Sequence, residues 1–133
     1  MWDDLTPFLV GAGPTATVLD PDGTPNNILD TALGGSVQVD WSFTGTASAF
    51  LPAITFTVSL FADPVGPGAN LQLGAVPVTG AGPAFTTTIP VTGLAPDAYR
   101  LTTLITAVVT ATGGSLPIAG FVDGPIIQVR PGP

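Results

Sequence analysis

A chain of 133 residues has the usual length of one domain and is long enough to bury a hydrophobic core. Its hydrophobic fraction of 45% excludes a disordered chain, although charged residues make up only 8%. The net charge of −7 comes from nine aspartates against two arginines. Without clustered Lys and Arg, we expect no binding to nucleic acid or to an anionic membrane surface.

Several chemically active residue types are absent from the sequence. It contains no His, Cys, Lys or Glu. These types supply most nucleophiles, general bases and zinc ligands in enzymes. We therefore predict that the chain is not an enzyme and that it has no resident cofactor.

The first predicted elements, in chain order, are three strands. One lies near residues 15–19. Apolar and polar residues alternate strictly over 36–43, and the pattern repeats over 54–61. A period of two over eight residues is typical of a strand with one buried face.

Four further strands are predicted over residues 71–79, 84–91, 98–110 and 118–129. Pro77 and Pro90 place the first two at sheet edges, where a missing backbone N–H is tolerated. The longest, 98–110, is predicted to be central because apolar residues occur on both of its faces. The last is predicted to be kinked at Gly124-Pro125.

Seven strands separated by Pro- and Gly-rich turns favour one fold class. We predict an all-β, two-sheet antiparallel sandwich with little or no helix. No linker or internal repeat interrupts the chain, so residues 1–133 are treated as a single domain. Residues 1–14 are a candidate N-terminal arm that packs on the sheet.

The segment 92–101 carries a recognisable motif, Thr-Gly-Leu-Ala-Pro-Asp-Ala-Tyr-Arg-Leu. It resembles the approach to strand F in fibronectin-III-like and bacterial immunoglobulin-like domains. The resemblance implies an immunoglobulin-like Greek key in which Tyr99 bonds back to the backbone of the corner. It also implies that Leu94 fills the core below the corner and that Trp41 is the buried aromatic residue between the sheets. It implies nothing about activity.

An acidic loop runs from Asp20 to Asp30 and is the candidate metal site, with Asp20, Asp22 and Asp30 as ligands for Ca²⁺. Calcium prefers several carboxylate and carbonyl oxygens on a turning backbone. The loop lacks the third Asp and the final Glu of an EF-hand. Asp, Asn, Gly and Pro are also turn residues in their own right, so a plain turn is the alternative.

The candidate interaction surface lies on the strand predicted over 98–110. Leu104 and Val108 share one face of that strand, between threonines. Either a terminal segment such as residues 1–10 covers this face, or the face contacts another subunit or protein. The low charge of the chain favours the second alternative, since soluble surfaces normally carry many charged side chains.

These observations predict a non-catalytic structural or protein-interaction module. It would act through an exposed sheet face or edge, on a protein partner or on copies of itself. The alternative is a ligand-binding accessory domain that uses loops at one end of the sandwich for calcium or carbohydrate. Residues 1–5 lack the basic start of a signal peptide, and no apolar stretch reaches the length of a membrane span, so a cytoplasmic location is expected.

Overall fold

The computed structural model describes residues 10–30, 34–65, 70–80 and 82–131. Within them lie eight strands and one 3₁₀ helix, Thr46–Ala53. The strands are β1 (Val10–Leu19), β2 (Ile28–Asp30), β3 (Gly35–Thr44), β4 (Ile54–Pro64), β5 (Leu71–Val78), β6 (Ala84–Val91), β7 (Asp97–Val109) and β8 (Ser115–Arg130).

The strands form two sheets. One contains three strands in the order β1-β3-β6, and the other contains five in the order β2-β8-β7-β4-β5. The connections β3–β4, β5–β6 and β6–β7 cross between the sheets. This is the immunoglobulin-like Greek key, so the predicted fold class is confirmed. As predicted, β5 and β6 are edge strands and β7 is central.

The core lies between the sheets and follows the predicted alternation. On β3 the residues Val37, Val39, Trp41 and Phe43 are buried, while the residues between them are half-buried. On β4 the alternate residues from Ile54 to Ala62 are buried in the same way. Each central strand therefore has one face in the core and one face directed away from it.

Four aromatic rings fill the middle of the core. Trp41 stacks on Phe85 of the same sheet, with ring centroids 5.5 Å apart. It meets Phe56 of the opposite sheet edge-on at 5.8 Å, as expected of an aromatic residue between the sheets. Phe43 stacks on Phe56 at 5.5 Å. Two buried polar atoms have no hydrogen-bond partner among the described residues, Nε1 of Trp41 and Oγ1 of Thr103.

The corner before β7 has the predicted geometry. The hydroxyl of Tyr99 donates a hydrogen bond to the carbonyl oxygen of Ala95, at 2.7 Å. Leu94 is buried beneath it. Burial raises the pKa of the Tyr99 hydroxyl, and the negative charge of Asp97 raises it further.

The structure differs from the prediction in three details. First, β1 begins at Val10, so the last part of the expected N-terminal arm is paired with β3, while residues 1–9 lie outside the described residues. Second, the 3₁₀ helix Thr46–Ala53 was not expected. Third, β2 adds an eighth strand, and it pairs with β8 in parallel, whereas the other described pairs are antiparallel. Its three residues are too few to show a period in the sequence.

β8 runs as one strand, and it changes register where a kink was expected. Thr102 of β7 faces Asp123, but Arg100 faces Ile126, so β8 contains one extra residue there. The shift lies at Gly124 and Pro125. Among the described helices, none has the length and apolar character needed to cross a membrane.

Candidate interaction surface

The structure places Leu104 and Val108 on the side of β7 that faces away from the core. Their neighbours Thr103, Ile105 and Ala107 are buried. Leu104 is 37% exposed, and Val108 is half-buried. Leu104 and Val108 therefore share the face that the sequence predicted for them. We call this face of the five-stranded sheet the outer sheet face.

The register of the sheet brings further apolar side chains to the outer sheet face. Leu104 lies directly opposite Phe121 of β8, which is 50% exposed. Phe61 of β4 faces Thr102, one row away. Ile126 faces Arg100 and is also 50% exposed. Directly opposed residues on neighbouring strands have Cβ atoms about 5 Å apart, so Leu104 and Phe121 form one apolar surface.

Hydroxyl-bearing residues surround this apolar surface. Thr55, Thr57 and Ser59 point outwards from β4, and they face Val108, Thr106 and Leu104 respectively. The hydroxyls of Thr55 and Thr110 share a hydrogen bond of 2.7 Å. Small hydroxyl side chains on a sheet leave it flat, since none of them projects far above the backbone. The outer sheet face thus has an apolar centre bordered by small hydroxyl side chains.

The charged residues of this face lie in the rows towards the start of β7 and the end of β8. Arg100 of β7 faces Asp63 of β4. Arg130 of β8 is paired in register with Asp30 of β2. These are the two basic residues of the chain, and each has an aspartate as its cross-strand neighbour. A third aspartate, Asp123 of β8, lies in the row next to Leu104, so these rows hold three aspartates and two arginines.

The sheet edges are interrupted by proline. The edge strands are β1 and β6 in one sheet and β2 and β5 in the other. Pro14, Pro77 and Pro90 lie within β1, β5 and β6 respectively. β2 is only three residues long. Proline and short length both hinder pairing with a strand of another chain.

Three members of the outer sheet face were missed by the sequence-based prediction of its surface. Phe61 occupies the same alternating positions of β4 as Thr55, Thr57 and Ser59, so the pattern alone predicts that it points outwards. Phe121 and Ile126 lie on either side of the register shift in β8. Because an extra residue reverses the alternation, no period of two could place both on one face.

The acidic loop forms a turn around Asp20. The Oδ1 atom of Asp20 accepts hydrogen bonds from the backbone N–H groups of Asp22 and Thr24, each at 3.0 Å. Asp22 is exposed within the turn. Asp30 lies apart, on β2. In the part of the chain that the structure describes, no three His, Cys, Asp or Glu residues come together as a metal site. The calcium site remains a prediction, and Asp20 has an observed role as a turn residue.

An open depression lies beside β1, where the register with β3 shifts between Ala12 and Thr15. Thr15, Asp40 and Phe85 are among its lining residues, and Asp40 is the single ionisable residue among those that the structure describes there. Its carboxylate accepts a hydrogen bond from Nε2 of Gln38 at 3.3 Å. One carboxylate already bonded to an amide does not form an acid–base pair, so the depression suggests no reaction.

Comparisons with known proteins give no family for this chain. No protein-family model and no curated protein matches it. Among solved structures it is similar to the superoxide reductase (neelaredoxin) from Ignicoccus hospitalis, with a TM-score of 0.42 and 16% identity. That similarity covers 87% of this chain and 80% of the other. Neither value is high enough to carry an activity from that protein to this one.

Proposed function

We propose that the chain is a non-catalytic protein-interaction module of fibronectin-III-like type that binds a protein through its outer sheet face. The observation that carries the proposal is the exposed pair Leu104 and Phe121 at the centre of a flat surface bordered by small hydroxyl side chains. An apolar centre with a polar rim is the common arrangement of a protein interface. Leu104 was already a candidate from the sequence, and its cross-strand neighbours extend the surface around it.

The edges of the sheets are poor candidates for the same role. β-strand addition needs a run of free backbone N–H and C=O groups, and proline removes one donor from each of β1, β5 and β6. The backbone of the outer sheet face is already paired within the sheet, so binding there rests on side chains. The proposal is therefore restricted to the face.

The absence of catalysis is part of the proposal and rests on composition. His, Cys, Lys and Glu are missing from the whole sequence. The aspartates that the structure describes do not gather into a group of three or more. The remaining polar side chains are mostly threonine and serine, which need an activating base to act as nucleophiles.

Site-directed photo-crosslinking in the cells that naturally make the chain tests this proposal. A photoreactive amino acid replaces Thr106, which is exposed on the outer sheet face. The matched control replaces Thr88, which is exposed on β6 of the other sheet. We expect protein adducts from position 106 and few or none from position 88. Equal yields from both positions, or no adduct from position 106, would contradict the proposal.

A further inference from the structure

We infer that Asp22 is a modification site, at which the chain converts slowly to isoaspartate, and that Asp20 controls the rate of this conversion. The modification needs no enzyme and no cofactor. It is independent of the proposed function, because Asp22 lies in the loop between β1 and β2 and not on the outer sheet face. Its basis is the residue that follows Asp22, the exposure of the loop and the hydrogen bonds around Asp20.

The reaction joins the side chain of Asp22 to the backbone nitrogen of Gly23. That nitrogen attacks Cγ of Asp22 and forms a C–N bond, while its proton leaves with the hydroxyl of the protonated carboxyl group as water. The product is a cyclic imide, and no atom is oxidised or reduced. Water then adds to the imide and breaks one of its two C–N bonds. Breaking the new bond restores aspartate, whereas breaking the original peptide bond leaves isoaspartate, whose backbone runs through the side-chain carbon atoms.

The residue after the aspartate decides whether the reaction is feasible. Glycine favours it, because without a Cβ atom its backbone nitrogen is open to attack. The chain contains two such pairs, Asp22-Gly23 and Asp123-Gly124. The second lies within β8, where Thr102 and Arg100 of β7 pair with residues on either side of it. The backbone there cannot rotate to close the ring without breaking this pairing, so we expect the folded chain to react at the first pair.

The first pair lies in an exposed loop with free space around it. Residues 21–28 are all exposed. A Cβ atom on Gly23 would meet no atom within 4 Å, apart from those of its two neighbours in the chain. The loop therefore has room for the imide ring. Exposed loops also open at a small cost in free energy compared with the strands of a core.

Hydrogen bonds to Asp20 slow the reaction in the folded chain. The attacking nitrogen of Gly23 donates its N–H to the carbonyl oxygen of Asp20, at 2.9 Å. The Oδ1 atom of Asp20 holds the N–H groups of Asp22 and Thr24, on either side of the Gly23 nitrogen, each at 3.0 Å. Because the Gly23 N–H must leave its acceptor before the nitrogen can attack, the turn has to open first. Asp20 therefore protects the bond that it encloses.

Isoaspartate would alter the turn that leads from β1 to β2. It adds a carbon atom to the backbone between Leu19 and Pro25, which form a β-bridge. The hydrogen bond from the N–H of Asp20 to the carbonyl oxygen of Thr24, at 2.9 Å, also spans the modified residue. A longer backbone cannot keep both contacts in their present geometry. We therefore expect the modified chain to melt at a lower temperature than the unmodified one.

Incubation of the purified chain for several weeks at physiological temperature is the test. An isoaspartyl methyltransferase with labelled S-adenosylmethionine measures the isoaspartate content, and mass spectrometry of separated peptides locates it. We expect isoaspartate at position 22 and none above background at position 123. In guanidinium chloride that unfolds the chain, both positions should react. Position 22 should then react about threefold to tenfold faster than in the folded chain, because the hydrogen bonds of the turn are lost.

Variants separate the role of Asp20 from the stability of the whole fold. Asp20→Ala removes the Oδ1 acceptor, so position 22 should react about threefold faster or more. Asp20→Asn keeps an acceptor there and should react at nearly the original rate. Tyr99→Phe is the matched control, because it removes a hydrogen bond at the corner before β7 and should leave the rate at position 22 unchanged. Asp22→Ala lacks the reacting carboxyl group and gives the background.

Each part of the inference has its own contrary result. If the folded chain forms no isoaspartate at position 22 while the unfolded chain does, Asp22 is not a modification site of the native protein. If Asp20→Ala reacts no faster than the unsubstituted chain, or no faster than Tyr99→Phe, Asp20 does not control the rate. Neither result affects the outer sheet face, which the adducts at position 106 test separately.

Discussion

Tyr99 and Ala95 are joined across the corner between β6 and β7 by a hydrogen bond of 2.7 Å from the tyrosine hydroxyl to the alanine carbonyl oxygen. The bond fixes the direction in which the chain enters β7, the central strand of the five-stranded sheet. Because Leu104 lies on that strand, the corner also helps to position the outer sheet face.

Removing this hydrogen bond should cost a moderate amount of stability. Tyr99→Phe keeps the buried ring and deletes the hydroxyl, so we expect the free energy of unfolding to fall by about 1 kcal/mol. Water can replace the lost donor, because Ala95 is exposed. Urea denaturation followed by tryptophan fluorescence measures the change. A variant as stable as the unsubstituted chain would show that the corner bond adds nothing to folding.

Alkaline pH should destabilise the fold through Tyr99. Its pKa is raised in the folded state, so above about pH 10 the unfolded chain loses the proton first. Stability is complete below that pH and declines as pH rises through the folded-state pKa. The chain has one Tyr and no Lys or Cys, so no other side chain titrates in this range. Melting temperatures from pH 8 to about 11 test this, and Tyr99→Phe should remove most of the decline.

Removing the buried hydroxyl of Thr103 should raise the free energy of unfolding of the protein. Its side chain is 1% exposed, and Oγ1 has no hydrogen-bond partner among the described residues. Thr103→Val keeps the branched shape and replaces the unpaired hydroxyl with a methyl group, so we expect a gain of about 1 kcal/mol. Thr88→Val, at an exposed position of β6, is the control and should change stability by less than about 0.5 kcal/mol. A destabilised Thr103→Val variant would mean that the hydroxyl is paired in solution.

Gly35 is expected to be intolerant of any side chain. A Cβ atom there would lie 2.6 Å from the carbonyl oxygen of Leu19 and 2.7 Å from Cδ2 of Leu29. Gly35→Ala should therefore destabilise the fold by about 1–3 kcal/mol, because the neighbouring chain segments must move. In Gly114→Ala the nearest atom would be Oγ1 of Thr112 at 3.4 Å, so this control should have little effect. The melting temperatures of the two variants would distinguish a clash between the new Cβ atom and its neighbours from a general effect of replacing glycine with alanine.

The acidic loop offers a test between turn and metal ligand. Asp20→Ala removes the acceptor of two backbone hydrogen bonds and should lower stability by about 1 kcal/mol. Asp20→Asn keeps a carbonyl oxygen at the same place and should restore most of that loss, because a turn needs the acceptor and not the charge. Millimolar Ca²⁺ should leave the melting temperature of all three proteins unchanged. If calcium instead stabilises the unsubstituted chain and not Asp20→Asn, the loop is a calcium site.

The strands that could be predicted from the sequence are those whose own residues alternate between apolar and polar. β3 and β4 bury alternate residues, and that difference between two faces is visible as a period of two. The corner was predictable because a local motif fixes a local bond between Tyr99 and Ala95. β2 was missed because three residues cannot show a period. The first half of β1 was missed because it contains Gly11, Gly13 and Pro14, and glycine and proline are residue types that normally indicate a turn.

Most of the outer sheet face could not have been predicted in this way. Leu104 was recognisable from its own strand, but its contact with Phe121 depends on the register between β7 and β8. The pairing of each arginine with an aspartate also depends on register, across strands that are distant in sequence. Register is a property of the folded sheet, and the shift at Gly124 and Pro125 changes it within a single strand.

The one parallel pair among the described strands, β2 with β8, has a consequence for how the fold responds to mechanical tension. β2 lies near the beginning of the described chain, and β8 ends close to its last residue. β1 precedes β2 and is paired with β3, so a force that separates the two ends reaches β2 only after β1 has been pulled from its sheet. The force then pulls β2 backwards and β8 forwards along their common direction. The pairs Ile28–Gln128, Leu29–Val129 and Asp30–Arg130 then resist by sliding together, whereas an antiparallel hairpin would open one pair at a time. Three short pairs thus act as a shear clamp between the first and last parts of the sandwich.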